Sequence, residues 1–169
     1  MNMPITSAQA DLPSDREVRV QRSFKAPRNL VYEAYTKPQL MKRWLLGPPG
    51  WTMTVCEMDV RPGGEYRWRW RSEAEGQEFG FFGEFREVEP LSRMVHTQHY
   101  DPGDVGGPMA SDEPAIITVE LVEQDGFTTV TTTMLFPSKE ARDGAVASGM
   151  TDGMELSYQL LDQQLAESA

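Results

Sequence analysis

Apolar and polar residues alternate with a period of two along most of this chain and fall at helical spacing in three places. In Glu17-Val18-Arg19-Val20-Gln21-Arg22 the two valines share one side of a strand, with Arg22 next in line. Glu17, Arg19 and Gln21 take the other side. Pro27 stands where a helix often begins, because its missing N–H costs nothing in a first turn. Leu30, Val31, Ala34 and Tyr35 follow at helical spacing. Thr36-Lys37-Pro38-Gln39 predicts a second start, with Thr36 as the cap and Gln39 reaching back to it. Leu40, Met41 and Trp44 give that helix its apolar stripe, and Gly47-Pro48-Pro49-Gly50 stops it.

From residue 52 to residue 136 the period is two. Arg61-Pro62-Gly63-Gly64 is a turn, with Pro62 presetting φ and Gly63 permitting a positive one. Glu65-Tyr66-Arg67-Trp68-Arg69-Trp70-Arg71 places aromatics on one face and arginines on the other, the clearest half-buried strand in the chain. Strands are expected at 78–88, 93–100, 116–123 and 127–136, the last two joined by a hairpin at Asp125-Gly126. Residues 101–114 interrupt the series with Pro102, Gly103, Gly106, Gly107, Pro108 and Pro114. They are expected to be a mobile flap at a cavity mouth, with Val105 and Met109 as its apolar contacts. Ser138 caps the final helical segment. Met150, Met154, Tyr158, Leu161 and Leu165 form its stripe, widened by Leu156 and Leu160. Gly149 and Gly153 predict a break near Ser148-Gly149 and a close approach to another backbone.

The order is strand, two short helices, about six strands, long helix. That is an α+β domain: a curved antiparallel sheet of about six to seven strands around the C-terminal helix. The 169 residues suit one domain over 16–169, preceded by a leader over 1–15 that is expected to be mobile. A formal net charge of −10 argues against nucleic acid as a partner, since the densest basic run, Arg67, Arg69 and Arg71, is flanked by acids. No stretch is apolar for long enough to span a bilayer and the start lacks a signal-peptide pattern, so a cytoplasmic setting is expected. Cys56 is the lone cysteine, which rules out an intrachain disulfide and fits a reducing compartment.

Ala26-Pro27-Arg28-Asn29-Leu30-Val31-Tyr32-Glu33-Ala34-Tyr35 resembles the opening helix of START-like (SRPBCC) proteins. Leu40-Met41-Lys42-Arg43-Trp44 and Asp59-Val60-Arg61-Pro62-Gly63-Gly64 resemble the branch named after activators of the heat-shock protein 90 ATPase. Phe82-Gly83-Glu84-Phe85-Arg86-Glu87-Val88-Glu89-Pro90, Arg93-Met94-Val95-His96-Thr97 and the final helix continue it, so the resemblance spans roughly residues 16–167. It implies a helix-grip fold that encloses a hollow. The superfamily includes lipid carriers, polyketide cyclases, hormone receptors and a co-chaperone domain, so the fold alone selects no reaction. Position 96 more often carries an aromatic in this branch; here it is His96.

Trp44, Tyr66, Trp68, Trp70 and His96, with Met150, Met154 and Tyr158 opposite, are the expected lining of an internal cavity. Periodicity taken alone favours a filled core, and the resemblance favours the hollow. The function expected is binding of a small apolar or amphipathic molecule, without catalysis and without a cofactor. Two alternatives stand beside it. One is a co-chaperone-like module that binds a chaperone or another protein, which the resemblance alone motivates. The other is a cyclase- or hydrolase-like enzyme using His96 with Tyr66 or Tyr158. His96 and His99 are the only histidines, and three residues apart on a strand they face opposite ways, which argues against a zinc site. Asp59 and Glu65 flank the turn and are expected to fix it through backbone amides or Arg61, and Cys56 is expected to be a small buried side chain.

Overall fold

The computed structural model describes residues 4–101 and 113–168. Eight strands form one antiparallel sheet: β1 (Gln9–Asp11), β2 (Glu17–Phe24), β3 (Trp51–Met58), β4 (Glu65–Ser72), β5 (Glu78–Glu89), β6 (Arg93–Asp101), β7 (Ala115–Gln124) and β8 (Phe127–Leu135). Their order is β1-β2-β8-β7-β6-β5-β4-β3, so β1 and β3 are the edges of a curved, unclosed sheet. Helices α1 (Arg28–Thr36) and α2 (Pro38–Met41) follow β2, and α3 (Lys139–Ala147) and α4 (Met150–Ser168) close the chain.

The α+β class and the long C-terminal helix are as expected, but the sheet has more strands than the predicted six to seven. The addition is β1, which lies in the segment read as a leader and pairs with residues 19–21 of β2 through its backbone. Most of the loop read as a flap, including Val105 and Met109, lies outside the described residues.

Strand alternation decides which side chains face the helices. On β2, Val18 and Val20 point inward and are at most 1% exposed, with Arg22 buried beside them. On β8, Thr128, Val130, Thr132 and Met134 are buried and alternate with half-buried positions. Val31 and Ala34 of α1, Trp44 after α2, and Leu161 and Leu165 of α4 complete the core between the sheet and the helices. Asp125 and Gly126 both adopt positive φ, the geometry a two-residue hairpin requires.

Three local expectations need correction. Thr36 does not cap α2: its hydroxyl donates back to the Tyr32 carbonyl as the last residue of α1, and α2 begins at Pro38 after Lys37. Proline supplies that start by its preset φ, so no side-chain cap forms. Gly149 does separate α3 from α4, with φ at 82°, but neither it nor Gly153 approaches another backbone; a Cβ at either would meet nothing within 4 Å. Leu156, placed on the apolar stripe, is 36% exposed. Ser138 caps α3 as expected, its Oγ accepting from the Ala141 amide at 3.0 Å.

Candidate functional site

The sheet wall of the interior is built by β4. Its arginines turn outward, so Tyr66, Trp68 and Trp70 turn inward and are each less than 9% exposed. Arg69 bonds Asp101 at 2.5 Å on the outer side, which offsets its charge there. His96 of β6 enters the same wall, 5.1 Å from Tyr66 and 6.0 Å from Trp68 between ring centroids. Phe85 of β5 closes on the imidazole at 5.6 Å. His99 lies on the opposite face, stacked on Phe82 at 5.0 Å, as its spacing from His96 predicts.

A second aromatic group forms the helix wall. Tyr158 of α4 meets Phe24 of β2 edge-on at 5.4 Å, and Trp44 meets Tyr35 at 4.9 Å. Trp44 and Tyr158 stack at 6.5 Å and join the two pairs. Among the described residues no ring contact links this group to the β4 group. Met150 and Met154 are half-buried and pack against the same core, where an unbranched thioether adapts to irregular space.

Polar clasps hold α4 in place. The Arg22 guanidinium, 4% exposed, donates to Glu155 and to Asp162, reaching them at 3.1 and 2.7 Å. Burial opposes its charge, yet the bonds to Asp162 and Glu155 prevail and hold its pKa above the ordinary arginine value. The Gly47 amide donates to Ser157 Oγ at 2.8 Å, and Gln164 donates to the Leu40 carbonyl at 3.3 Å. These two bonds tie α4 to the α2 region.

Most interior ring donors are satisfied. Trp44 Nε1 donates to the Ala34 carbonyl at 3.0 Å, Trp70 Nε1 to the Leu45 carbonyl at 2.7 Å, and the Tyr66 hydroxyl to the Thr97 carbonyl. Trp68 Nε1 and His96 Nδ1 are the contrast: both are buried with no hydrogen-bond partner among the described residues. The Tyr35 hydroxyl also lacks one, facing Tyr158 without the geometry of a hydrogen bond. Burial lowers the His96 pKa to about 4, so its imidazole is neutral at physiological pH. Burial raises Tyr66, Tyr35 and Tyr158.

Of the eight residues predicted for the site, six are buried and Met150 and Met154 are half-buried, divided between the β4 wall and the helix wall of one core. Cys56 is half-buried, with its thiol pushed up to about 11 by burial, and is less enclosed than expected. Arg61 does bind Asp59, at 2.7 Å, on the exposed turn. Among the described residues no three His, Cys, Asp or Glu side chains gather as a metal site would require.

One feature escaped the sequence reading. An open groove of about 730 Å³ runs over the outer face of the sheet, bordered by Glu57, Arg67, Phe82, Glu84, Arg86 and His99. Phe82 is 40% exposed there. Its signal was available: Phe82 pairs with Arg67 and so occupies an outward position among charged residues.

Residues 25–166 match the family described as Activator of Hsp90 ATPase homolog 1-like protein. A crystal structure of a protein from Rhodobacter sphaeroides is similar at 30% identity and a TM-score of 0.86, covering 96% of this chain and 99% of that one. A protein from Nitrosomonas europaea shares the fold at 24% identity and a TM-score of 0.79, covering 93% and 98%. An AHSA1-like protein from Aeromonas hydrophila does so at 18% identity and 0.66, covering 86% and 93%. No curated protein matches the chain.

Proposed function

Because this chain belongs to the Activator of Hsp90 ATPase homolog 1-like family, whose fold commonly binds ligands, we propose that it binds a small apolar or amphipathic molecule without catalysis. The binding region is the interior between the β4 aromatics and α4, within a single domain over residues 16–169. One observation carries this reading. Trp68 Nε1 and His96 Nδ1 lie on adjacent rings, deep in an aromatic interior, and neither has a hydrogen-bond partner among the described residues. A buried polar group left unpaired costs roughly 1–3 kcal/mol, so a guest that pairs with either nitrogen would recover part of that cost. Half-buried Met150 and Met154 suit a wall that must adapt to that guest.

The same geometry favours binding over acid–base chemistry. Burial makes His96 a weak base, and the Tyr66 hydroxyl is committed to the Thr97 carbonyl. The cytoplasmic setting is part of the reading, supported by the single cysteine; among the described residues no helix is long and apolar enough to cross a membrane. Tryptophan fluorescence titrated with a panel of aromatic and aliphatic molecules tests the proposal. Saturable quenching that is lost in Trp68→Phe supports it. Linear, non-saturable responses across the panel contradict it.

A further inference from the structure

The polar atoms of the interior restrict the chemistry of its guest. Trp68 Nε1 is a donor only, and neutral His96 offers a nitrogen that accepts or donates according to its tautomer. Their ring centroids are 6.0 Å apart and their planes are inclined at 75°. A hydroxyl is the simplest complement, accepting from the indole N–H and donating to the imidazole.

Charge is the second restriction. Two arginines are buried among the described residues: Arg142, held by Asp143 and the Ser14 carbonyl, and Arg22, whose guanidinium is occupied by Glu155 and Asp162 while lying over the Phe24 ring at 5.1 Å. Arg67 and Arg69 of β4 project to the other face, where both reach Asp101. No cation and no carboxylate therefore stands beside Trp68 and His96 among the described residues. An ionised guest would lose its water there without gaining a counter-charge, which is strongly unfavourable.

We propose that the interior site selects an uncharged guest whose hydroxyl is held between Trp68 and His96, with its apolar body against the aromatic wall and α4. This rests on the reading of the interior as a binding site and narrows it to one ligand class. It distinguishes an alcohol from a fatty or aromatic acid of the same size.

A matched naphthalene series tests it by calorimetry at pH 7.5: 2-naphthylmethanol, 2-ethylnaphthalene, 2-naphthoate and 2-naphthylmethylammonium. The alcohol is expected to bind at least about fivefold tighter than the hydrocarbon and at least about tenfold tighter than either ion. In Trp68→Phe the alcohol should lose its advantage while the hydrocarbon still binds, which shows that the variant retains its fold and site. His96→Leu provides the second check and should also favour the hydrocarbon. Smaller margins in the wild type, or an unchanged preference in both variants, overturn the selectivity and leave the binding site standing. Failure of all four probes to bind overturns the site reading itself, and the selectivity with it.

Discussion

Trp68 and His96 meet at 6.0 Å with their rings inclined at 75°, and each buries a nitrogen that has no hydrogen-bond partner among the described residues. The pair sits where β4 and β6 both face inward across β5. Its pH behaviour follows from burial alone.

Burial lowers the His96 pKa from 6.5 to about 4. The unfolded chain takes up this proton below pH 6.5, whereas the folded chain resists it until about pH 4. Stability from this residue is therefore full above pH 6.5, falls as pH drops through that window, and changes no further below it. The loss approaches about 3 kcal/mol at the acid end. Urea unfolding of wild type and His96→Phe between pH 7.5 and 4 measures the difference. A gap that shifts by about 1.4 kcal/mol per pH unit in the variant's favour is expected. Parallel pH profiles would count against a buried, neutral His96.

Arg22→Met should loosen α4 from β2. The substitution removes the donor shared by Glu155 and Asp162 but leaves two carboxylates that reach solvent, with side-chain exposures of 21% and 41%. The cost should be about 2 kcal/mol, below that of breaking a fully buried pair. Chemical denaturation reads it, and amide exchange should rise first along α4. Arg19→Ala removes an ion pair whose partners are about half exposed, and no resolvable change is expected.

Gly83→Ala and Gly149→Ala separate two reasons for glycine. A Cβ at Gly83 would lie 2.2 Å from the Thr97 carbonyl oxygen and 2.7 Å from its hydroxyl, so β5 and β6 must move apart. That carbonyl accepts from Tyr66, so the shift disturbs the β4 wall. A loss of more than about 2 kcal/mol is expected. At Gly149 there is open space and only the φ of 82° opposes a side chain, so about 1 kcal/mol is expected. Equal losses in thermal unfolding would contradict this account.

These contrasts show what could be read from sequence. The inward face of β4 was legible because burial of one face imposes a period of two on Tyr66, Trp68 and Trp70. β1 was not, because Gln9, Ala10 and Asp11 are all exposed, and beyond the backbone ladder only the exposed Asp11–Arg19 ion pair joins them to β2. Arg22 was legible as an inward position, but its partners lie 133 and 140 residues away and nothing local announced them. Thr36 carried a capping-box pattern that Pro38 overrode. The unpartnered state of Trp68, beside satisfied Trp44 and Trp70, depends on where carbonyls fall in three dimensions.

Phe82→Ala should cost only about 1–2 kcal/mol, because the ring is 40% exposed on the outer groove. It should also leave affinity for an interior guest unaltered. A fall in affinity comparable to that of Trp68→Phe would relocate binding to the groove.

The most direct measurement is a chemical-shift map of the bound state. Methyl-labelled methionines, the indole N–H resonances and the backbone amides are followed while the neutral dye N-phenyl-1-naphthylamine is titrated in. The interior account predicts saturable shifts at Met150, Met154, the Trp68 indole and His96, with Phe82 and His99 unmoved. Shifts confined to Phe82, His99 and Arg67, or none that saturate, would contradict it.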